Sequence, residues 1–494
     1  AFMGRAVQQD FEYQTFHFFF TSPIAKRDYL VGRFLGAVAI LVFIFLGIAT
    51  GIVIGTHWPG VDPTRIGPWS LAAFAQPYAV MLVPNILFLG AFFFGLAALG
   101  RRMLPVYVAG VVVLIGYVIA ASLLQDIDNR TLAALVDPLG SSALGLVTRY
   151  WSPVEKNSRL IPLADEVLWN RALWLGVGLA AFSACYARFR MSFAPPERKQ
   201  KIDADAAAPR AAAPVALPAA VVDTGAVAYL RQLPGLAALY LRETVRNVYF
   251  AVIVLAGALF IFFSAKTVGS VYGTNTYPVT YQVIDFASGS FRLFMLIVTA
   301  LYAGELVWRE RDARTALIAD STPAPTWLAF AAKLAALMAT QALLQLVVVV
   351  CGVLVQLFGG YTKLELGQYF FQLFALQLPT YWMIAALALT IHVVVNHKYL
   401  GHFVVVLYYI ALIMAGALGY DNRLYRFANS PPLVYSDMNG YGDFLGPIRW
   451  FQLYWGAASI LLLVVARLFW VRGSDTGWVE RLRIARARWT RPLL

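Results

Sequence analysis

The side chains able to do chemistry are sparse, and their spacing argues against catalysis in this chain. The histidines are His17, His57, His392, His397 and His402, and none is followed by the glutamate that a two-histidine zinc helix requires. The sequence has no Gly-x-x-x-x-Gly-Lys-Ser/Thr loop, whose backbone amides would cradle nucleotide phosphates. Cys185 and Cys351 lie in apolar runs and read as small buried hydrophobes, with no disulfide framework and no metal site. What the charged and hydroxyl residues do form is a repeat. Thr21-Ser22-Pro23 recurs as Ser321-Thr322-Pro323, and Gly4, Val7, Asp10 and Arg33 recur as Gly304, Val307, Glu310 and Lys333, every pair of prolines, glycines and charges 300 positions apart. Each copy is a short polar loop ending in hydroxyl and proline, then a basic residue and a long apolar run. The chemistry this implies is recognition and transmission of motion, read twice.

Residues that recur in register need elements that recur, and composition says what those are. The chain has 494 residues, 60% of them hydrophobic and 13% charged, with mean hydropathy +0.67. Soluble domains carry about 25% charged residues, so this is an all-α polytopic membrane protein, with no alternating ten-residue strands of a β-barrel. Spans are expected near 30–55, 71–99 (interrupted by Pro84), 106–124 and 172–186, then 248–265, 284–306, 328–357, 369–395, 399–418 and 451–471. The domain reading is a first half over 1–190, an Ala/Pro-rich linker over 191–226, a second half over 227–472 and a basic tail over 473–494. Residues 227–246 read as an amphipathic interfacial helix carrying Arg231, Arg242 and Arg246. The net charge of +13 sits mostly in loops and tail, which favours anionic lipid over nucleic acid. Basic residues place 1–29, 187–247, 308–327 and 472–494 in the cytoplasm and the mixed-charge excursions 125–167 and 419–450 outside. Those excursions hold enough aromatic residues, Tyr150, Trp151, Tyr435 and Tyr441 among them, to be ordered.

Two stretches carry a resemblance. FHFFFTSPIAKRDYLVGRFLG (16–36) and RTALIADSTPAPTWLAFAAKLAA (314–336) resemble the cytoplasmic loop of the type-two ABC permeases, the membrane subunits with the type V exporter fold. RYWSPVEKNSRLIPL (149–163) and VYSDMNGYGDFLGPIRWFQLYW (434–455) look like the branch that fuses two permease halves, often with an aminopeptidase N-like domain. The resemblance covers nearly the whole chain. It implies two pseudosymmetric halves, with about ten transmembrane helices here and two N-terminal ones absent from the chain. It implies a bacterial inner membrane location and two copies of an ABC ATPase, which carry ATP and magnesium while this chain holds no cofactor. The implied coupling residues are Phe18, Phe19, Phe20, Thr21 and Pro23 in the first loop. In the second they are Arg309, Glu310, Arg311, Leu317, Ile318, Thr322 and Pro323. No peptidase motif lies within the chain.

Each candidate has a plainer reading. Pro23 and Pro323 suit a first helical turn whatever else they do, and Glu310, Arg311, Asp312 and Arg314 suit a solvated loop. Asp285 and Arg292 share a helix face and mark either a pathway or an outer interface where they snorkel. Gln341 and Gln345 share a face in the next span, where bonding between helices competes with substrate contact. His392 reads as a packed residue on an apolar helix. The rivals to an ATP-driven permease are an ion-coupled secondary transporter, which wants intramembrane carboxylates in both halves, and a membrane scaffold for an outer peptidase. A membrane-embedded enzyme would need a His, Asp or Cys cluster within the spans.

Overall fold

The computed structural model describes residues 2–59, 61–62, 64, 66–67, 69–101, 104–123, 130–191, 225–265, 270–271, 274–416, 418–470, 473 and 477–489. The chain forms two compact units, Ala1–Leu217 and Pro218–Leu494. The expected linker 191–226 lies outside the described residues except at its ends.

The first unit begins with α1 (Phe2–Glu12), a short α2 (Phe16–Thr21) and a long α3 (Lys26–Thr56). Next come α4 (Leu71–Pro77), five residues of π-helix (Tyr78–Leu82), α5 (Val83–Gly100) and α6 (Leu104–Leu123). Three short helices, α7 (Arg130–Val136), α8 (Ser141–Val147) and α9 (Pro153–Ser158), lead to α10 (Asp165–Arg188). Its core gathers Met3, Val7, Tyr29, Leu30, Phe34, Phe94, Cys185 and Phe189. Burying side chains of this size contributes about 1.5–3 kcal/mol each.

The second unit opens with α11 (Ala226–Val245) and α12 (Val248–Ser264), bent 67° against each other. A two-residue hairpin, β1 (Ser270–Val271) and β2 (Thr274–Asn275), follows. Then come α13 (Thr280–Asp312), α14 (Ala316–Asp320) and α15 (Thr326–Phe358). The next run is α16 (Leu366–Phe370), a π-segment (Phe371–Gln377) and α17 (Leu378–Val395), before α18 (Lys398–Met414), α19 (Leu445–Phe469) and α20 (Trp478–Trp489). Both π-segments lie just before a proline in the first turn of the following helix, Pro84 in α5 and Pro379 in α17. A proline offers no amide to the preceding turn, and a π-bulge is one way for an apolar helix to pass it.

All ten expected spans fall on helices. Among the described residues, seven helical spans are long and apolar enough to cross a bilayer, or eight if α11 and α12 count as one bent span. At 17 residues α18 is shorter. In hydrocarbon every backbone amide must be satisfied within its own segment, which is why these apolar runs are helical. With 33 residues each, α13 and α15 extend to roughly 50 Å, well beyond a hydrocarbon core of about 30 Å. Their charged ends therefore project from the membrane. The chain is an all-α, multi-pass membrane protein.

The two mixed-charge excursions are held by hydrogen bonds where described. In the first unit, buried Asp137 accepts from the Leu139 amide at 2.8 Å, the Ser141 hydroxyl at 2.7 Å and the Ser142 amide at 2.6 Å. Buried Arg171 donates to Asn85 Oδ1 at 2.8 Å and to Asn170, while Asn170 Nδ2 donates to the Asp137 carbonyl at 2.9 Å. Gly140 has φ of +77° and lies against the Arg171 guanidinium, where no side chain fits. The Ser152–Glu155 capping box starts α9 and holds the Glu155 carboxyl below the usual range, chiefly through the Ser152 amide. In the second unit, Tyr441 donates to Gln372 at 3.3 Å, and Arg426 donates to the Leu412 carbonyl at 3.0 Å.

Candidate functional site

The repeat seen in the sequence is a repeat of structure. Shifted by 300, α1 ends where α13 ends, at Glu12 and Asp312, and α3 starts where α15 starts, at Lys26 and Thr326. The short helices between them start together at Phe16 and Ala316. Gln14 and Arg314 turn the chain with φ of 58° and 57°. Thr15 and Thr315 then begin the short helix, their carbonyls accepting from Phe18 and Ile318 at 3.1 Å in both copies. Past it the hydroxyls fold back. Ser22 donates to the Phe18 carbonyl at 2.5 Å, and Thr322 donates to the Ala319 carbonyl at 2.6 Å. Pro23 and Pro323 follow at a bend ahead of the long helix. Each unit thus carries one arm of helix, tip and helix.

The charged residues of the register close each arm. In the first, Asp10 accepts from Arg33 Nη2 at 2.6 Å and from the Tyr29 hydroxyl at 2.9 Å. In the second, Glu310 accepts from Lys333 Nζ at 2.6 Å and from the Tyr240 hydroxyl at 2.9 Å. The tyrosines come from different places, one within α3 and one from α11, so position 300 does not align them. Lys333 keeps 2% of its side-chain surface and Arg33 28%. The Lys333 ammonium also lies over the rings of Tyr240 and Trp470, at 5.6 and 5.2 Å. Each clamp ties the helix entering the tip to the helix leaving it.

The expected coupling residues separate into exposed tips and inward anchors. Phe18, Leu317 and Ile318 are 75%, 67% and 71% exposed. Thr21, Pro23, Thr322 and Pro323 are exposed as well. Phe19 and Phe20 face inward instead and pack on the core of the first unit, with Phe19 5.8 Å from Tyr29 and 5.0 Å from the Arg33 guanidinium. Arg309 pairs with Glu243 of α11 at 2.8 Å. Arg311 donates to Asn396 Oδ1 at 2.6 Å and stacks on Trp308. The charges of 309–311 therefore brace the arm against its own unit, and the tips present apolar and hydroxyl groups.

The residues expected along a pathway do not converge. Asp285 accepts from Gln372 Nε2 at 2.6 Å, and both Asp285 and Arg292 are exposed, with no ion pair between them. Gln341 is buried and donates to Thr299 and to the Tyr381 carbonyl, each at 2.9 Å, which joins α15 to α13 and α17. Gln345 is buried beside it. His392 is packed, its ring 4.6 Å from that of His402. A Cβ added at Gly304 would come within 2.6 Å of His392 Cε1, so the repeat glycine is where α13 meets this pair.

Three residues that hold these elements together were not singled out from the sequence. Tyr29 and Tyr240 complete the clamps, and Arg481 anchors the tail. Arg481 is 1% exposed and donates to the Val394 carbonyl at 2.9 Å, the Val393 carbonyl at 2.6 Å and the Phe469 carbonyl at 3.3 Å. Those carbonyls end α17 and α19, where a cation meets both free acceptors and the negative ends of two helix dipoles. Tyr29 and Tyr240 are one tyrosine among many in the sequence, and only the fold brings them to their carboxylates.

Residues 245–414, from the end of α11 through α18, match the family model described as ABC-2 family transporter protein. No curated protein and no solved structure matches the chain. The match supports an ABC-2 type permease, the transmembrane part of an ABC transporter, and a permease of this kind implies an ABC ATPase as partner.

Proposed function

We propose that this chain is the permease of an ATP-driven exporter in which both arms are coupling elements, each docked on one copy of an ABC ATPase. The observation that supports this most is the paired arm: two tips whose entering helix ends, and whose short and leaving helices start, at the same register positions, with the same left-handed turn and a carboxylate–cation clamp in each, 300 residues apart. Two equivalent partners give a reason for two equivalent arms. A clamp that locks both helices to the tip makes the tip a rigid lever, so a push on Phe18 or Ile318 moves long helices rather than bending a loop.

In this reading the ATPases bind ATP and magnesium, close on each other and displace both tips. The two halves then rock between inward-open and outward-open states. The chain itself supplies no catalytic group. The levers, α3 and α15, would act on neighbouring helices, whose π-segments at 78–82 and 371–377 mark the places where bending is easiest. The outer motifs favour the branch with fused halves and an outer aminopeptidase N-like domain, which makes a peptide the favoured cargo and a bacterial inner membrane the location. Purifying the full chain from its native membrane and identifying what accompanies it tests the reading. An ABC ATPase in a ratio of two to one permease is expected, and a chain that transports cargo with no ATPase bound contradicts it.

A further inference from the structure

The two arms share a skeleton but not a filling. In the first, Phe11, Phe16 and Phe20 make a cluster with centroid separations of 5.4 Å for Phe11–Phe16 and 5.6 Å for Phe16–Phe20. Phe20 adds an edge contact with Phe189 at 6.3 Å, and Phe19 leans on Tyr29. Positions 11, 16, 19 and 20 correspond, 300 residues on, to Arg311, Ala316, Ala319 and Asp320. Four rings are replaced by one guanidinium, two methyl groups and a carboxylate. All four of these residues line a cavity of about 550 Å³ in the second unit. The first arm fills the space behind its tip with its own phenylalanines, and the second leaves that space open.

The walls say what fits there. Tyr240, Phe469 and Trp470 supply ring surfaces, and Arg311 supplies a flat cation of the kind that stacks on aromatic faces. The charges lining the space, Glu310 with Lys333 and Arg311 with Asp320, balance each other, so an ionic guest gains nothing from net charge. Thr322 and Pro323 of the exposed tip are part of its lining.

We propose that this cavity receives an aromatic side chain of the partner ATPase, which takes the place that Phe16 and Phe20 take in the first arm. This rests on the reading of the arms as ATPase-docking elements. It makes the two docking events unequal: one tip is a closed knob, and the other is a knob beside a socket. A partner that presents the same surface to both arms inserts its ring only in the second.

Cysteine protection in the full chain tests this. Ala316→Cys places a thiol on the cavity wall, and Ile318→Cys places one on the exposed tip. Each is labelled with a small maleimide, with the co-purifying ATPase bound and after its removal. Both thiols should react in the permease alone, and ATPase binding should slow both roughly tenfold or more, the scale set by a docking free energy above 1.4 kcal/mol. Protection at Ile318→Cys with Ala316→Cys still reactive leaves docking intact and overturns the socket. Protection at neither position overturns the docking reading and the socket with it. An Ala316→Cys that is unreactive in the permease alone shows the cavity filled by this chain, and also overturns the proposal. As a second arm of the test, Ala316→Phe fills the socket from within and should weaken ATPase binding about tenfold to a hundredfold, the equivalent of one unburied ring. Unchanged binding with Ala316→Phe folded contradicts the proposal.

Discussion

Lys333 donates to Glu310 Oε2 at 2.6 Å with 2% of its side chain exposed. The pair joins the end of α13 to the second turn of α15, and its counterpart Arg33–Asp10, also at 2.6 Å, joins α1 to α3. The two pairs are sheltered at opposite members, the cation Lys333 in one and the carboxylate Asp10, 4% exposed, in the other, and that has a consequence. Removing one partner of a buried pair strands a charge at about 3–5 kcal/mol, whereas an exposed pair contributes about 1 kcal/mol or less. Lys333→Met should therefore lower the thermal midpoint of the purified protein markedly. Lys333→Met combined with Glu310→Gln should recover most of the loss, because no lone charge remains. Arg33→Met strands Asp10, which is 4% exposed against 24% for Glu310, and should cost at least as much. A loss for Arg33→Met well below that for Lys333→Met would show that the shelter of the stranded carboxylate does not set the cost.

The tail makes a second prediction. Residues 473–494 look from the sequence like a basic cytoplasmic extension, yet Arg481 in α20 is buried against the ends of α17 and α19. Arg488 supports it by donating to the Leu468 carbonyl at 3.1 Å. Hydrogen bonds from a charged donor contribute about 1.5–3 kcal/mol. Arg481→Ala should raise the open population of α20 roughly tenfold or more, seen as faster tryptic cleavage at Arg483 and Arg486 with the rest of the chain intact. Unchanged cleavage would mean that the helix is held by other contacts.

Much of this architecture was legible in the sequence, because its signals are strong. An apolar run in lipid has no alternative to helix, so every expected span falls on one, and the register of 300 located the arms to within a residue. The direction of side chains around the tip was legible in principle. Phe16, Phe19 and Phe20 stand at i, i+3 and i+4, one helix face, while Phe18 lies off it. That spacing assigns Phe19 and Phe20 inward, against the reading that made all three phenylalanines docking residues. The partners of Glu310 were not legible, since Tyr240 lies 70 residues away in the chain and no period or motif links them. Nor was the cavity, which depends on which bulky residues are missing where six helices meet.

Sidedness can be measured directly. The distribution of basic residues predicts 1–29, 187–247, 308–327 and 472–494 in the cytoplasm and 125–167 and 419–450 outside. Ser158 and Ser436 are exposed in the outer excursions, and the native Cys185 and Cys351 are buried. Ser158→Cys and Ser436→Cys should both react with a membrane-impermeant maleimide added to intact cells. If both are protected there and react only after lysis, the topology is inverted.

The account turns on the two exposed tips. Phe18 and Ile318 are 75% and 71% exposed and occupy the same register position, so replacing them leaves the cores and the clamps untouched. Phe19→Asp does not serve the same purpose, because it places a charge against Tyr29 and inside the first unit. The decisive measurement is ATP-dependent transport and ATPase co-purification by the full chain carrying Phe18→Asp and Ile318→Asp together, with its thermal midpoint as the check on folding. The account predicts an unchanged midpoint, ATPase binding weakened about tenfold or more per tip, and transport lost. A double variant that keeps its ATPase and transports like the parent protein would contradict it.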